Sequence, residues 1–180
     1  IILNQGEVYL VQAWIRDNVL NPDLSGSEII SDKPIAVFAG HQRATIPVNN
    51  INLTSRDCLV EQMLPIKTWG KNAFIAPFMA PKNSTSAGND LCRVVFAFDD
   101  TDLFINGYFE NRFDKGEVFE THLNGPLTIE ASEPIMVAGL KKTSQMNSSS
   151  NTNGDPFMMI IPPKEQFMPN YTVINAQSYE

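Results

Sequence analysis

Two stretches, Ser31-Asp32-Lys33-Pro34-Ile35-Ala36-Val37-Phe38-Ala39-Gly40 and Ala131-Ser132-Glu133-Pro134-Ile135-Met136-Val137-Ala138-Gly139, are versions of one pattern. Each has a proline, then Ile-x-Val, then Ala-Gly, with Phe38 inserted before it in the first. Alternating β-branched residues over so short a run predict a half-buried strand. The flanks agree in order. Gly6-Glu7-Val8-Tyr9 matches Gly116-Glu117-Val118-Phe119, and the Leu-x-Gly of Leu24 to Gly26 matches that of Leu123 to Gly125. Strands around Ile29 and Ile129 follow. Downstream, Met63-Leu64-Pro65 with Phe74 matches Ile160-Ile161-Pro162 with Tyr171. Ordered matches of this kind predict a duplicated unit of about a hundred residues, longer than a solenoid repeat.

The expected fold is all-β: two tandem sandwich-like β units from an internal duplication. Residues 1–80 form the first, truncated at its N-terminus; 81–90 are a linker or loop; 91–180 form the second. Alternation and β-branched or aromatic enrichment predict strands at 7–13, 28–31, 35–40, 59–64, 73–77, 92–98, 102–105, 118–123, 127–131, 135–140, 157–161 and 171–175. Asn106-Gly107 is a hairpin turn, because both residues tolerate positive φ. No segment keeps a 3.6-residue period. About seven strands per full unit fit a sandwich better than the four of a propeller blade. Trp14 and Trp69 are expected core anchors.

Composition narrows the partners. The chain has 180 residues, 43% hydrophobic and 18% charged, and the shortfall from the usual ~25% charge is filled by turn-forming Asn, Ser, Thr and Pro. A net charge of −7 disfavours nucleic acid and anionic lipid. No apolar run approaches the ~20 residues of a membrane helix, so no membrane insertion is expected. The chain opens in mid-pattern with Ile1-Ile2-Leu3, as a part of a longer multidomain chain would. Lys141-Lys142, the one basic pair, is expected at a solvated strand end.

Chemistry is thinly represented. The two histidines, His41 and His122, lie in no catalytic motif, and neither a Gly-x-Ser-x-Gly elbow nor a Gly-rich phosphate loop occurs. Cys58 and Cys92 lack zinc-site spacing; they either pair with each other or stand as two buried thiols. Asp99, Asp100 and Asp102 form a weak calcium candidate, against which stands a solvated turn. His41, Asp57 and Glu61 flank one loop with nothing to fix them on a metal. No cofactor is expected. Asn52, Asn83, Asn147 and Asn170 begin glycosylation sequons. Each copy carries a long connection after its Pro-Ile-x-Val strand, residues 41–57 and 143–155, and long loops on a strand scaffold are where recognition concentrates.

Asp23-Leu24-Ser25-Gly26-Ser27, Ser31 to His41, Cys58-Leu59-Val60-Glu61-Gln62-Met63-Leu64-Pro65 and Trp69-Gly70, with Gly154-Asp155-Pro156-Phe157-Met158 and Ile161-Pro162, resemble the N-terminal domain family of the IgG Fc-binding protein in order and near spacing. The resemblance implies an extracellular, secreted or cell-surface location and a binding role without catalysis. It does not imply that antibody is the ligand. Where the family often has a cysteine two residues after Gly-His, this chain has Arg43, which leaves Cys92 as the partner available to Cys58. The Ile- and Asn-rich composition suits a bacterial member.

The functional expectation is a non-catalytic adhesion module for a protein or glycoprotein ligand. Its site residues would be His41, Arg43, Asn50, Asn52, Asn147, Asn151 and Asp155, with 82–89 adjoining. The alternatives are a structural β spacer within a large surface protein and a carbohydrate hydrolase, which requires two facing carboxylates in a cleft.

Overall fold

A computed structural model describes residues 1–14, 23–47, 55–78, 90–146 and 155–172. Its strands are β1 (Phe38–Ala44), β2 (Asp57–Gln62), β3 (Gly70–Ile75), β4 (Asp90–Phe96), β5 (Thr101–Ile105), β6 (Tyr108–Phe113), β7 (Val118–Leu123), β8 (Leu127–Leu140) and β9 (Met158–Ile161). Three short 3-10 turns, Ile66–Thr68, Ser144–Met146 and Lys164–Gln166, complete the regular structure of the described residues. The chain is all-β, as the alternation predicts, and every ladder is antiparallel.

β8 is the spine. Ile129 faces Ala73 of β3 across one edge and Ile105 of β5 across the other. Val137 lies between Val94 of β4 and Ile161 of β9. Two expected strands, 127–131 and 135–140, are thus one strand of 14 residues. Pro134 has no N–H to give a ladder, and it sits where the β3 register shifts between Gly70 and Asn72, so no ladder bond is lost. The larger sheet has seven strands and takes β3 from one side of residues 81–90 and six strands from the other. β1 and β2 form a separate two-stranded sheet.

Cys92, Val94, Phe96, Leu103, Leu123, Ile129 and Val137 share the main core, with the Phe113 ring stacked 4.3 Å from Phe96. Fully burying each such side chain stabilises by about 1.5–3 kcal/mol. A second cluster, Ala44, Ile46, Leu59, Leu91 and Leu140, joins the two sheets.

Two segments that share the sequence pattern also make similar local bonds. Met63 N donates to Val37 O, and Phe38 pairs with Gln62; likewise Val137 pairs with Ile161 and Ala138 with Ile160. Pro65 then caps one 3-10 turn, which ends as Trp69 N donates to Ile66 O at 3.0 Å. Pro163 caps another, which ends as Phe167 N donates to Lys164 O at 3.0 Å. The structural counterpart of Pro65 is therefore Pro163, one residue beyond the Pro162 that the sequence alignment selects.

Several expectations are corrected. Residues 7–13 and 28–31 carry strand-forming sequence but form no strand, and among the described residues no ladder includes them. Of the strand expected at 171–175, Tyr171 and Thr172 are not in a strand; 173–175 lie outside the described residues. β6 is an additional strand, made by the expected Asn106-Gly107 turn, in which both residues have positive φ. Trp14 is exposed rather than a core anchor, and Trp69 is half-buried with its indole Nε1 donating to Leu64 O. Asp90, expected in the linker, opens β4 and is buried.

Candidate functional site

The connections that follow β1 and β8 are about a hundred residues apart in sequence, yet they meet. Thr143 N donates to Ile46 O at 2.9 Å, and Ile46 N donates to Thr143 Oγ1 at 2.8 Å. Ser55 N donates to Gln145 Oε1 at 2.7 Å, and the hydroxyls of Ser144 and Ser55 lie 3.0 Å apart. Ile46, Thr143 and Ser144 are buried, so these bonds form in an environment where losing one is costly.

Asp90 lies beneath this junction. One carboxylate oxygen accepts from Phe78 N and the other from Lys142 N, each at 2.9 Å, and Lys141 Nζ lies 3.5 Å away. Lys141 and Lys142, expected in solvent, are buried instead. The buried Asp90 carboxylate, which accepts from Lys142 N and faces the Lys141 ammonium, offsets part of the cost of this burial. Burial holds the Lys142 ammonium below the usual lysine range, the Asp90 charge pulls it back, and Lys141 pushes it further down.

His41 and Arg43 sit on β1, exposed, at the mouth of the first connection; Arg43 N donates to His41 Nδ1 at 3.0 Å. Asp155, also exposed, precedes β9 in the second connection. Asn50, Asn52, Asn147 and Asn151 lie outside the described residues, as do 82–89.

The aspartate cluster is otherwise engaged. Arg112 Nε donates to Asp102 Oδ1 at 2.7 Å and Arg112 Nη2 to Asp102 Oδ2 at 3.1 Å, and this pairing holds the Asp102 carboxyl below its ordinary range. Asp99 Oδ1 accepts from Lys115 N, and Asp100 N donates to Asp114 Oδ1. These are the bonds of a solvated turn. Among the described residues no group of three His, Cys, Asp or Glu could hold a metal ion, His41, Asp57 and Glu61 included. The cysteines are not bonded: Cys58 is exposed and Cys92 is buried in β4. Burial, and secondarily the negative charge of Glu120, pushes the Cys92 thiol up to about 12. A hollow of about 260 Å³ against β3 is lined by Phe74, Ile75, Ala76, Asn106, Pro126, Leu127 and Thr128, none of which titrates near neutral pH.

Arg93 lies in no motif that marks it in the sequence. Its guanidinium contacts Asp23 Oδ2 at 2.9 Å, Ser25 Oγ at 2.7 Å and Glu120 Oε1 at 2.7 Å, which ties the Asp23-Leu24-Ser25-Gly26 turn to the larger sheet. Gly26 (φ +82°) lies so close to Gly116 that a Cβ would come within 1.9 Å of the Gly116 carbonyl oxygen. That contact requires glycine.

No solved structure matches this chain. The human IgGFc-binding protein is 30% identical over 163 residues, covering 88% of this chain and 3% of the human protein. The chain therefore spans a small fraction of that relative's length. The family model described as IgGFc binding protein matches residues 1–180. On a match that spans the whole chain, the chain belongs to the IgGFc-binding protein family.

Proposed function

We propose that this chain is an extracellular, non-catalytic binding or adhesion module for a protein or glycoprotein ligand. The observation that carries the proposal is the meeting of the two long connections at Ile46 and Thr143. Buried hydrogen bonds fix the bases of both connections on one scaffold, and anchoring the bases leaves less entropy to lose on binding than two independent loops would. His41 and Arg43 offer exposed polar groups at the rim. Family membership supports a protein ligand, because the human relative's name states that it binds IgG Fc. No helix among the described residues is long and apolar enough to cross a membrane.

The test is binding of the 180-residue chain to immobilised IgG Fc and to a glycoprotein and glycan array. At least one ligand is expected to bind, and Arg43→Glu should weaken that binding by about tenfold through loss of a rim charge. Absence of binding across the panel would favour a structural spacer. Binding that ignores changes in both loops would move the site elsewhere.

A further inference from the structure

The two matched ladders bear on what covers the bare segment near the N-terminus. Residues 34–37 correspond to 134–137, and residues 63–69 to 161–167. Under this correspondence Thr68 is the counterpart of Gln166, and the two touch: Gln166 Nε2 donates to Thr68 O at 2.6 Å. β2 likewise packs against its counterpart β9. A residue touches its own counterpart near a two-fold axis, whereas head-to-tail repeats bring different residues together. The halves are therefore arranged reciprocally.

One side of that reciprocity is present. β3, which follows Trp69, pairs with β8 so that Ala73 faces Ile129 and Asn72 faces Glu130. The other side is missing. Ile29 is 59% exposed where Ile129 is fully buried, and Ile35 is 53% exposed where Ile135 is 3% exposed. Similar residues in similar sequence are core in one half and bare in the other. Residues 27–35 are in no strand, yet their apolar side chains are exposed, and a strand-forming segment of this kind can be completed by strand addition. The segment after Phe167, Met168-Pro169-Asn170-Tyr171-Thr172, is the counterpart of β3, with Asn170 in the place of Asn72. Met168 and Tyr171 are exposed, and among the described residues no ladder joins 168–172 to 27–35.

We propose that the segment beginning at Met168 is the strand that pairs antiparallel with residues 27–35 of the same chain. Asn170 then lies opposite Ile30 and Tyr171 opposite Ile29, the reciprocal of the β3–β8 register. Pairing covers Ile29 and the exposed apolar segment around it. The inference rests on the correspondence of the two halves and is independent of the ligand.

The experiment is disulfide trapping in the full chain carrying Cys58→Ser. Ile30→Cys with Asn170→Cys places the thiols in register; Asp32→Cys with Thr172→Cys places them on the same face but four residues off, roughly 13 Å apart along a strand and beyond disulfide reach. Mild oxidation should close the first pair within the monomer, with a mass loss of two hydrogens, about tenfold more completely than the second. Disulfide-linked dimers would make a second copy the occupant and overturn the proposal. Equal yields from both pairs, or no bond in the first, would overturn it too. Should the variants fail to fold, hydrogen exchange on the unaltered chain decides: amides of 28–30 slowed at least about tenfold support the pairing, and unprotected exchange overturns it.

Discussion

Thr143 and Ile46 are joined by two hydrogen bonds: the Thr143 amide donates to the Ile46 carbonyl and the Thr143 hydroxyl accepts from the Ile46 amide. Thr143→Val keeps the side-chain shape and removes the acceptor, leaving a buried N–H unsatisfied. A loss of about 1–3 kcal/mol is expected in urea unfolding, largely spared by Thr143→Ser. Equal losses for Ser and Val would mean that packing, not the hydroxyl, holds the junction.

Asp90 accepts two backbone amides and faces Lys141. Asp90→Leu strands these donors beside two buried lysines. Breaking a buried pair costs about 3–5 kcal/mol, and the amides of Ile46 and of 141–146 should lose hydrogen-exchange protection before the main core does. Uniform loss across the chain would show that Asp90 holds no particular part of it.

The cysteines should differ sharply toward alkylating reagent. Cys58 is exposed, while Cys92 is buried with its thiol pushed up to about 12. Thiolate is the reactive form, so iodoacetamide at pH 8 should add one label to the native chain, at Cys58, and two after unfolding. Peptide mass mapping reads the outcome; native labelling of Cys92 would mean that β4 opens readily.

Much of the larger sheet is visible in the β-branched and aromatic runs of β4, β7 and β8, because a buried pleated surface favours those residues. Residues 7–13 and 28–31 have the same composition but no strand, because a strand is stabilised by its cross-strand neighbours and not by propensity alone. Arg93, Asp90, Lys141 and Lys142 were illegible for another reason. Their roles depend on contacts with residues tens of positions away, and an isolated charge looks the same whether solvated or paired. The two long connections stood out as loops, but only tertiary structure brings Ile46 to Thr143.

The Asp23–Arg93 contact makes the N-terminal turn acid-sensitive. Burial works to raise the Asp23 carboxyl, but the bonds from Ser25 and the Arg93 charge outweigh it and hold the group below its usual value. A carboxylate lowered on folding stabilises the folded state above its unfolded pKa, and that contribution disappears as pH falls through the folded value. The window therefore runs downward from about pH 4, the ordinary aspartate range. Hydrogen exchange at 25–28, corrected for its intrinsic pH dependence, should show protection at pH 6 that fades toward pH 3. Asp23→Asn should lose most of this protection at pH 6 and flatten the profile. Because the carboxylate is about half exposed, the effect should also shrink in high salt. An unchanged profile in Asp23→Asn would assign the docking of this turn to the Gly26–Gly116 approach instead.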